Sequence, residues 1–208
     1  MSFRNELMTN SDARLWKLIE ARTQSGADTE EIDRQIWQIF GEDWAVMFTD
    51  LSGFSRRTAR FGIIHFLQVI YSMRQLLYPV VTDHGGILVK AEADSLLLLF
   101  RTAQAALECA VAMQRACDKE NQRLIAEEQV LLCVGIGCGR ILRVGEEEAW
   151  GSEVNAASKL GEDTADSYEI LVTDSARNAI GDLDGIKYED LELAAPGSPR
   201  NFRVLYRR

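Results

Sequence analysis

Phe48-Thr49-Asp50-Leu51-Ser52-Gly53-Phe54-Ser55 is the stretch around which this chain is organised. The apolar run Trp44-Ala45-Val46-Met47-Phe48 enters it with the character of a buried β-strand. The run ends on the carboxylate of Asp50, turns at Ser52-Gly53 and opens a long helical pattern. A strand that delivers a carboxylate to its end fixes a ligand for a hard cation. A helix opening just behind it aims backbone N–H groups at the anion such a cation carries. That is the layout of a metal–triphosphate site. Strand-Asp-turn-Gly occurs in many α/β proteins, so the rest of the chain has to decide what it means.

The bulk properties narrow the choice. The 208 residues suffice for one domain of ordinary size plus a small appendage, and 47% apolar residues supply a real core. A net charge of −9 argues against a nucleic-acid or anionic membrane surface as the main partner. An acidic chain that binds a nucleotide needs metal ions to offset the phosphates. Cys109, Cys117, Cys133 and Cys138 form no CxxC pair and read as small buried hydrophobes in a reduced compartment, not as a zinc site. The most apolar long window, residues 62–81, carries His65, Gln68, Arg74 and Gln75, too polar a set to span a bilayer. The expectation is a cytoplasmic, soluble chain.

Residues 1–43 read as a helical extension preceding a catalytic-type domain at 44–208. Ser11 can cap a helix with Leu15, Leu18 and Ile19 on one face, broken at Ser25-Gly26. Asp28 with Glu31 resembles a capping box for a second helix, whose stripe is Ile32, Ile36, Ile39 and Phe40. Two such short helices need a surface to dock on, and a brace against the main domain is the simpler reading than a dimerisation element. From Arg56-Arg57 a helix follows with Ile63, Leu67, Ile70, Leu77 and Val81 at helical spacing, kinked or ended by Pro79. Ile87 to Lys90 and Ser95 to Phe100 form a hairpin with its tip at Ala91-Glu92-Ala93-Asp94, the second arm apolar on both faces and therefore central.

Thr102 caps a helix with a small-residue face, and Val130 to Gly139 reads as a strand. Gly135 and Gly137 share one face of that strand, so something packs closely there. Arg140 to Val144 is expected to pair back, a helix to run from Ser152 through Leu160, Ile170 to Thr173 to form a strand, and Asp174 to cap the next helix. Residues 186–192 and 201–207 close the sheet as a strand pair. The order β-α-β-β-α-β is the α+β, ferredoxin-like (split βαβ) plan with additions. In that plan Asp50 and Asp94 converge.

With Phe48 to Phe54, Gly85-Gly86, Lys90 four residues before Asp94, and Trp150-Gly151-Ser152-Glu153-Val154-Asn155-Ala156-Ala157-Ser158-Lys159-Leu160 in this order, the chain resembles the class III nucleotidyl cyclases, the adenylate and guanylate cyclase catalytic domains. The resemblance implies a nucleotide cyclase fold and a reaction that turns a nucleoside triphosphate into the 3′,5′-cyclic monophosphate and pyrophosphate. It implies two Mg²⁺ or Mn²⁺ ions held by Asp50, Asp94 and the Leu51 carbonyl, and phosphates cradled by the backbone at Gly53, Phe54 and Ser55. Asn155 would position the ribose, and Lys159 and Arg200 would meet phosphate charge. Lys90 and Glu148 would read the base, a donor and an acceptor matched to adenine, which favours ATP; cytosine offers a similar pairing. It also implies a homodimer with shared sites, the metal ligands from one subunit and the base-reading and Asn/Lys groups from the other.

The sequence departs from the family pattern at Ala93, where glycine is usual, and at Lys159, where arginine is usual. An alanine strains a turn that needs positive φ, and a lysine keeps the charge while losing the planar fork. These two positions support an alternative reading: a weak or inactive cyclase homologue serving as a nucleotide-binding or dimerisation module.

Overall fold

The computed structural model describes residues 10–192 and 194–207, with the side chains of residues 54–57 outside the description. Eight strands form one sheet: β1 (Gly41–Leu51), β2 (Ile87–Glu92), β3 (Ser95–Phe100), β4 (Leu132–Val144), β5 (Glu148–Trp150), β6 (Ile170–Thr173), β7 (Lys187–Leu191) and β8 (Asn201–Leu205). Their order is β2-β3-β1-β4-β6-β8-β7, with β5 paired to β4. The first four strands are antiparallel in the ferredoxin-like order, and β6 joins β4 in parallel. The architecture is thus the α+β plan expected, with β3 an interior strand as its apolar faces require.

The sheet has two unlike faces. On one lie α4 (Ile63–Asp83), α5 (Ala103–Asn121) and α7 (Asp174–Ile180). Met47, Leu51, Leu98, Phe100, Leu132, Val134 and Ile136 meet Phe66, Met73, Leu77, Ala106, Ala110 and Met113 there in the main core. The other face carries Trp44, Val46, Phe48, Leu97 and Leu99 and is only partly roofed, by α6 (Ser152–Ser158) and a π-helical turn (Lys159–Thr164). Strand alternation puts Asp50 on this second face, in line with Trp44, Val46 and Phe48.

The glycines of β4 explain how α6 sits so low. A Cβ at Gly135 would lie 2.2 Å from the Ala157 carbonyl oxygen and 2.4 Å from the Gly161 nitrogen, and one at Gly137 2.5 Å from the Glu153 carbonyl oxygen. The close packing read from Gly135 and Gly137 is therefore helix backbone against strand backbone. Glu153 pins the same helix: its buried carboxylate accepts from the Cys138 N–H at 3.0 Å and from the Thr173 hydroxyl at 2.8 Å.

Several local expectations are corrected. The helix read through 56–81 is two: α3 (Phe54–Phe61) and α4, separated at Gly62, whose φ is +86°. Ile63 and Leu67 are exposed, because the buried stripe of α4 runs through Phe66, Val69, Ile70, Met73, Leu77 and Val81. Pro79 does not end α4, which continues to Asp83. Residues 140–144 do not pair back; they extend β4 along β1 to the pair Gly41↔Leu142, and β5 makes the return. Thr173, not Asp174, caps α7, through a bond from the Ala176 N–H. The hairpin tip is tighter than read, only Ala93-Asp94.

Two N-terminal helices, α1 (Asn10–Arg22) and α2 (Thr29–Phe40), pack Leu15, Leu18, Ile19, Ile36 and Phe40 onto Leu142 and Val144 at the far end of β4. Asp28 caps α2 by accepting from the Glu31 N–H at 3.0 Å. Cys109, Cys117 and Cys133 are buried thiols, each pushed up to about 12 by desolvation. No helix among the described residues is long and apolar enough to cross a membrane.

The Gly135→Ala protein is expected to lose about 3 kcal/mol, because neither overlapping backbone atom can swing aside as a side chain would. Gly85→Ala, where no neighbour lies within 4 Å but φ is +68°, should lose about 1 kcal/mol. Urea titration of both proteins checks the ranking.

Candidate active site

Asp50 stands on the penultimate residue of β1, opposite Cys133 of β4. Asp94 stands in the two-residue loop between β2 and β3. Because β3 is the neighbour of β1, the hairpin tip falls beside the end of β1, and the two carboxylates come within hydrogen-bonding reach of each other. Ser95 donates its hydroxyl to Asp50 Oδ1 at 3.2 Å. The Leu51 N–H lies against both carboxylates. Asp94 is 7% exposed, and its Oδ2 is buried without a hydrogen-bond partner.

Burial first, and then the facing Asp94 charge, push Asp50 up to about 7. Burial likewise raises Asp94, with a smaller contribution from the charge of Glu162 on the π-helical turn. Two like charges desolvated together cannot both ionise at low cost, so near neutrality the pair holds a proton between them or needs a cation. A pair of hard oxygen donors with one buried, unpartnered carboxylate oxygen fits Mg²⁺ or Mn²⁺. Among the described residues no third His, Cys, Asp or Glu completes a cluster. A site here therefore consists of Asp50, Asp94 and backbone oxygen, with the Leu51 carbonyl adjacent in sequence.

Behind Asp50 the chain turns at Ser52-Gly53, and Gly53 takes φ +82° as it enters α3. The backbone at 54 and 55 forms the first turn of that helix; the side chains of Phe54 and Ser55 lie outside the described residues. A cleft of about 370 Å³ opens beside Ser52 and Gly53, walled by Arg60 and Phe61.

Lys90 reaches the same sheet face as Asp50 by an irregularity absent from its sequence pattern. The register of β2 against β3 shifts between Leu88 and Lys90, so Lys90 pairs with Leu97, whose side chain faces the α6 side. The bulge places Val89 and Lys90 on one face where simple alternation would separate them. Lys90 ion-pairs with Glu92 at 2.9 Å and also feels the charges of Glu148 and Glu147 on the neighbouring β5 segment. The two residues proposed to read a base thus lie near enough within one chain for the charge of Glu148 to act on Lys90.

Asn155 and Lys159 lie on successive turns, Asn155 exposed on α6 and Lys159 opening the π-helical turn. Lys159 is tied to Asp163 at 2.9 Å, and Ser158 donates to Glu162. Arg200 is not brought to the carboxylate pair: it precedes β8, separated from β1 by β4 and β6, and pairs with Asp190 at 2.8 Å. Ala93 takes φ +47°, the left-handed conformation that costs an alanine about 1 kcal/mol. Three contributors escaped the sequence reading: Ser95, Glu153 and Arg74, which donates to the Ala93 carbonyl at 3.0 Å. The first had a signal, a lone hydroxyl beside Asp94 at the head of an all-apolar strand.

The fold and site thus combine a ferredoxin-like sheet with a convergent acidic pair on its half-open face. Residues 41–195 match the family model for the adenylate and guanylate cyclase catalytic domain, and the chain belongs to that family. Putative adenylate cyclase 3 of Rhizobium meliloti (strain 1021) is 28% identical over 146 residues, 70% of this chain and 24% of that protein. An adenylate cyclase of Streptomyces coelicolor is 29% identical over 163 residues, 74% of this chain and 39% of that protein. The chain therefore spans well under half the length of these two relatives. The crystal structure of an adenylate/guanylate cyclase/hydrolase from Silicibacter pomeroyi superposes with a TM-score of 0.70 at 26% identity, covering 81% of this chain and 98% of that one.

In the metal-free protein, Asp50 binds more protons folded than unfolded between about pH 4 and about pH 7. Its contribution to stability is therefore complete below about pH 4 and is lost as pH rises through about 7. Asp50→Asn should flatten that slope, leaving the part due to buried Asp94, and make the metal-free protein more stable than wild type at pH 7.5, with the two similar at pH 4. Urea titrations across this range measure the difference.

Proposed function

We propose that this domain is a nucleotidyl cyclase that converts a nucleoside triphosphate, ATP by preference, into the 3′,5′-cyclic monophosphate and pyrophosphate, at two sites shared across a homodimer. The observation that carries the reading is the half-buried Asp50–Asp94 pair with its unpartnered Asp94 oxygen. In the reaction the ribose 3′-oxygen forms a bond to the α-phosphorus, the bond from that phosphorus to the bridging oxygen of the β-phosphate breaks, pyrophosphate departs and the 3′-proton is lost. Two Mg²⁺ or Mn²⁺ ions held by Asp50, Asp94 and the Leu51 carbonyl would supply Lewis acidity at the 3′-oxygen and charge neutralisation on the triphosphate.

The chain's own groups do the rest. The Gly53 turn and the first backbone N–H groups of α3 receive phosphate oxygens. Lys90 from the partner donates to adenine N1 and Glu148 from the partner accepts from the N6 amino group, a pairing that guanine, with N1–H and O6, reverses. Asn155 from the partner orients the ribose, Lys159 from the partner approaches the phosphates, and Arg200 is a second phosphate-binding cation. An exposed Asn155 and a Lys159 held only by a surface ion pair are available for such a role.

The Lys159–Asp163 pair and the strained Ala93 favour a second reading, a slow or inactive homologue that binds nucleotide and dimerises. Pyrophosphate release and cyclic product, scored with each nucleoside triphosphate and either metal, separate the two. The enzyme reading expects cyclic AMP in excess of other products; nucleotide binding without pyrophosphate release rejects it.

Lys159→Arg is expected to raise turnover, since a guanidinium meets phosphate with two parallel bonds; unchanged kcat with both metals counts against a phosphate contact at this position. Asp50→Ala and Asn155→Ala proteins, each inactive alone, should recover up to about a quarter of wild-type activity per chain when mixed, because half the chains enter hybrids that hold one intact site. Absence of recovery in mixtures shown to exchange subunits rejects shared sites.

A further inference from the structure

The turn that carries Asp94 is held from outside the sheet. Ala93 occupies the first central position of the two-residue loop between β2 and β3, with φ +47°, while Asp94 has no positive φ. Hairpins of this pattern take glycine at that position. An alanine there relieves its strain by rotating, and rotation about its Cα–C bond swings the peptide plane that joins it to Asp94. The Ala93 carbonyl lies in that plane. Arg74, on α4, donates from its terminal guanidinium nitrogen to this carbonyl at 3.0 Å. Its stem rises beside the fully buried Met73, at the rim of the α4 core face, and its Nε is buried without a hydrogen-bond partner. Among the described residues it forms no ion pair, although two carboxylates stand at the same end of the sheet. A guanidinium bonded to a neutral carbonyl and to no carboxylate serves position more than charge balance.

We propose that Arg74 is a positioning residue for the hairpin: it fixes the peptide plane between Ala93 and Asp94, and thereby the direction in which the Asp94 carboxylate leaves the backbone. The inference rests on the reading of Asp94 as a cation ligand. It explains how the chain tolerates alanine at this turn. A glycine at position 93 would hold the turn unaided, so the need for Arg74 is created by the Ala93 side chain. The two residues should therefore be coupled.

The test uses the full chain with Mn²⁺ as the probe, its affinity read from the resonance of free Mn²⁺. Hydrogen exchange of the amides of residues 92–96, in metal-free protein, gives a second readout. Arg74→Met is expected to weaken Mn²⁺ binding about tenfold, the scale of losing a group that orients a ligand, and to speed exchange at the hairpin. Arg74→Lys, which keeps a donor, should lose less. In the Ala93→Gly background Arg74→Met should change affinity no more than about twofold, the scatter of uncoupled sites. Equal losses in both backgrounds, or an unchanged affinity in Arg74→Met, overturn the proposal. If the wild-type chain binds no Mn²⁺, the cation reading itself fails, and hairpin exchange decides alone: faster exchange that Ala93→Gly restores supports Arg74, and unchanged exchange rejects it. Should Arg74→Met fail to fold, Arg74→Gln is put through the same comparisons.

Discussion

Backbone lies on backbone along the seam between β4 and α6. Side chains normally hold a helix about 10 Å from a sheet, and the absence of Cβ atoms at Gly135 and Gly137 removes that spacer. The helix then sinks until its carbonyls touch the strand, and Glu153 locks it by bonding to Cys138 and Thr173. Everything on that face follows from the depth of this seam. A short, low helix roofs β4 and part of β1 and leaves the ends of β1 and the β2–β3 hairpin uncovered. Gly161, whose Cβ would lie 2.8 Å from the Phe48 carbonyl oxygen, brings the π-helical turn down beside the approach to Asp50. A single α-helix continuing past Ser158 would not set Lys159 and Glu162 as this turn does; π-helical segments are often found where side chains must be aimed.

The acidic pair is the counterpart of that exposure. The strand order makes β1 and the β2–β3 hairpin neighbours, and the hairpin turn ends level with β1, so two carboxylates are forced together where only part of each can be hydrated. Such an arrangement opposes folding on its own and would become favourable with a cation bound. The membership of the chain in the adenylate and guanylate cyclase catalytic domain family gives this local instability a purpose. In the proposed reaction, the positive charge missing from a protein of net charge −9 would be recruited with the substrate.

The sequence carried most of the sheet and the acidic pair, because those depend on alternation, glycine and chain order. The β3 run of leucines could only be interior, and Gly135 with Gly137 announced a close contact. What could not be read depends on atoms far apart in the chain. Of the α4 stripe read as Ile63, Leu67, Ile70, Leu77 and Val81, the last three are buried as expected, but α3 breaks off at Gly62 and the first turns of the buried face run through Phe66 and Met73 in place of Ile63 and Leu67. Pro79 is carried through α4 despite its missing N–H, since tertiary packing of a 21-residue helix outweighs one lost bond. Arg74 sits in a window that reads simply as polar interruption of an apolar helix; only the fold brings it to Ala93. Glu153 is one more acidic residue in sequence and a buried anchor in space.

The irregular pairing in β2 has a consequence for how this domain can change over time. Because one extra residue sits between Leu88 and Lys90, every side chain from Lys90 to the hairpin tip is in the opposite phase to the residues before it. Losing Val89, the extra residue, would turn Leu88↔Leu98 and Lys90↔Leu97 into consecutive pairs of a regular ladder and leave the lysine on the face it already occupies. The strand can therefore shed that residue without re-aiming its lysine, and the bulge is a reserve of length.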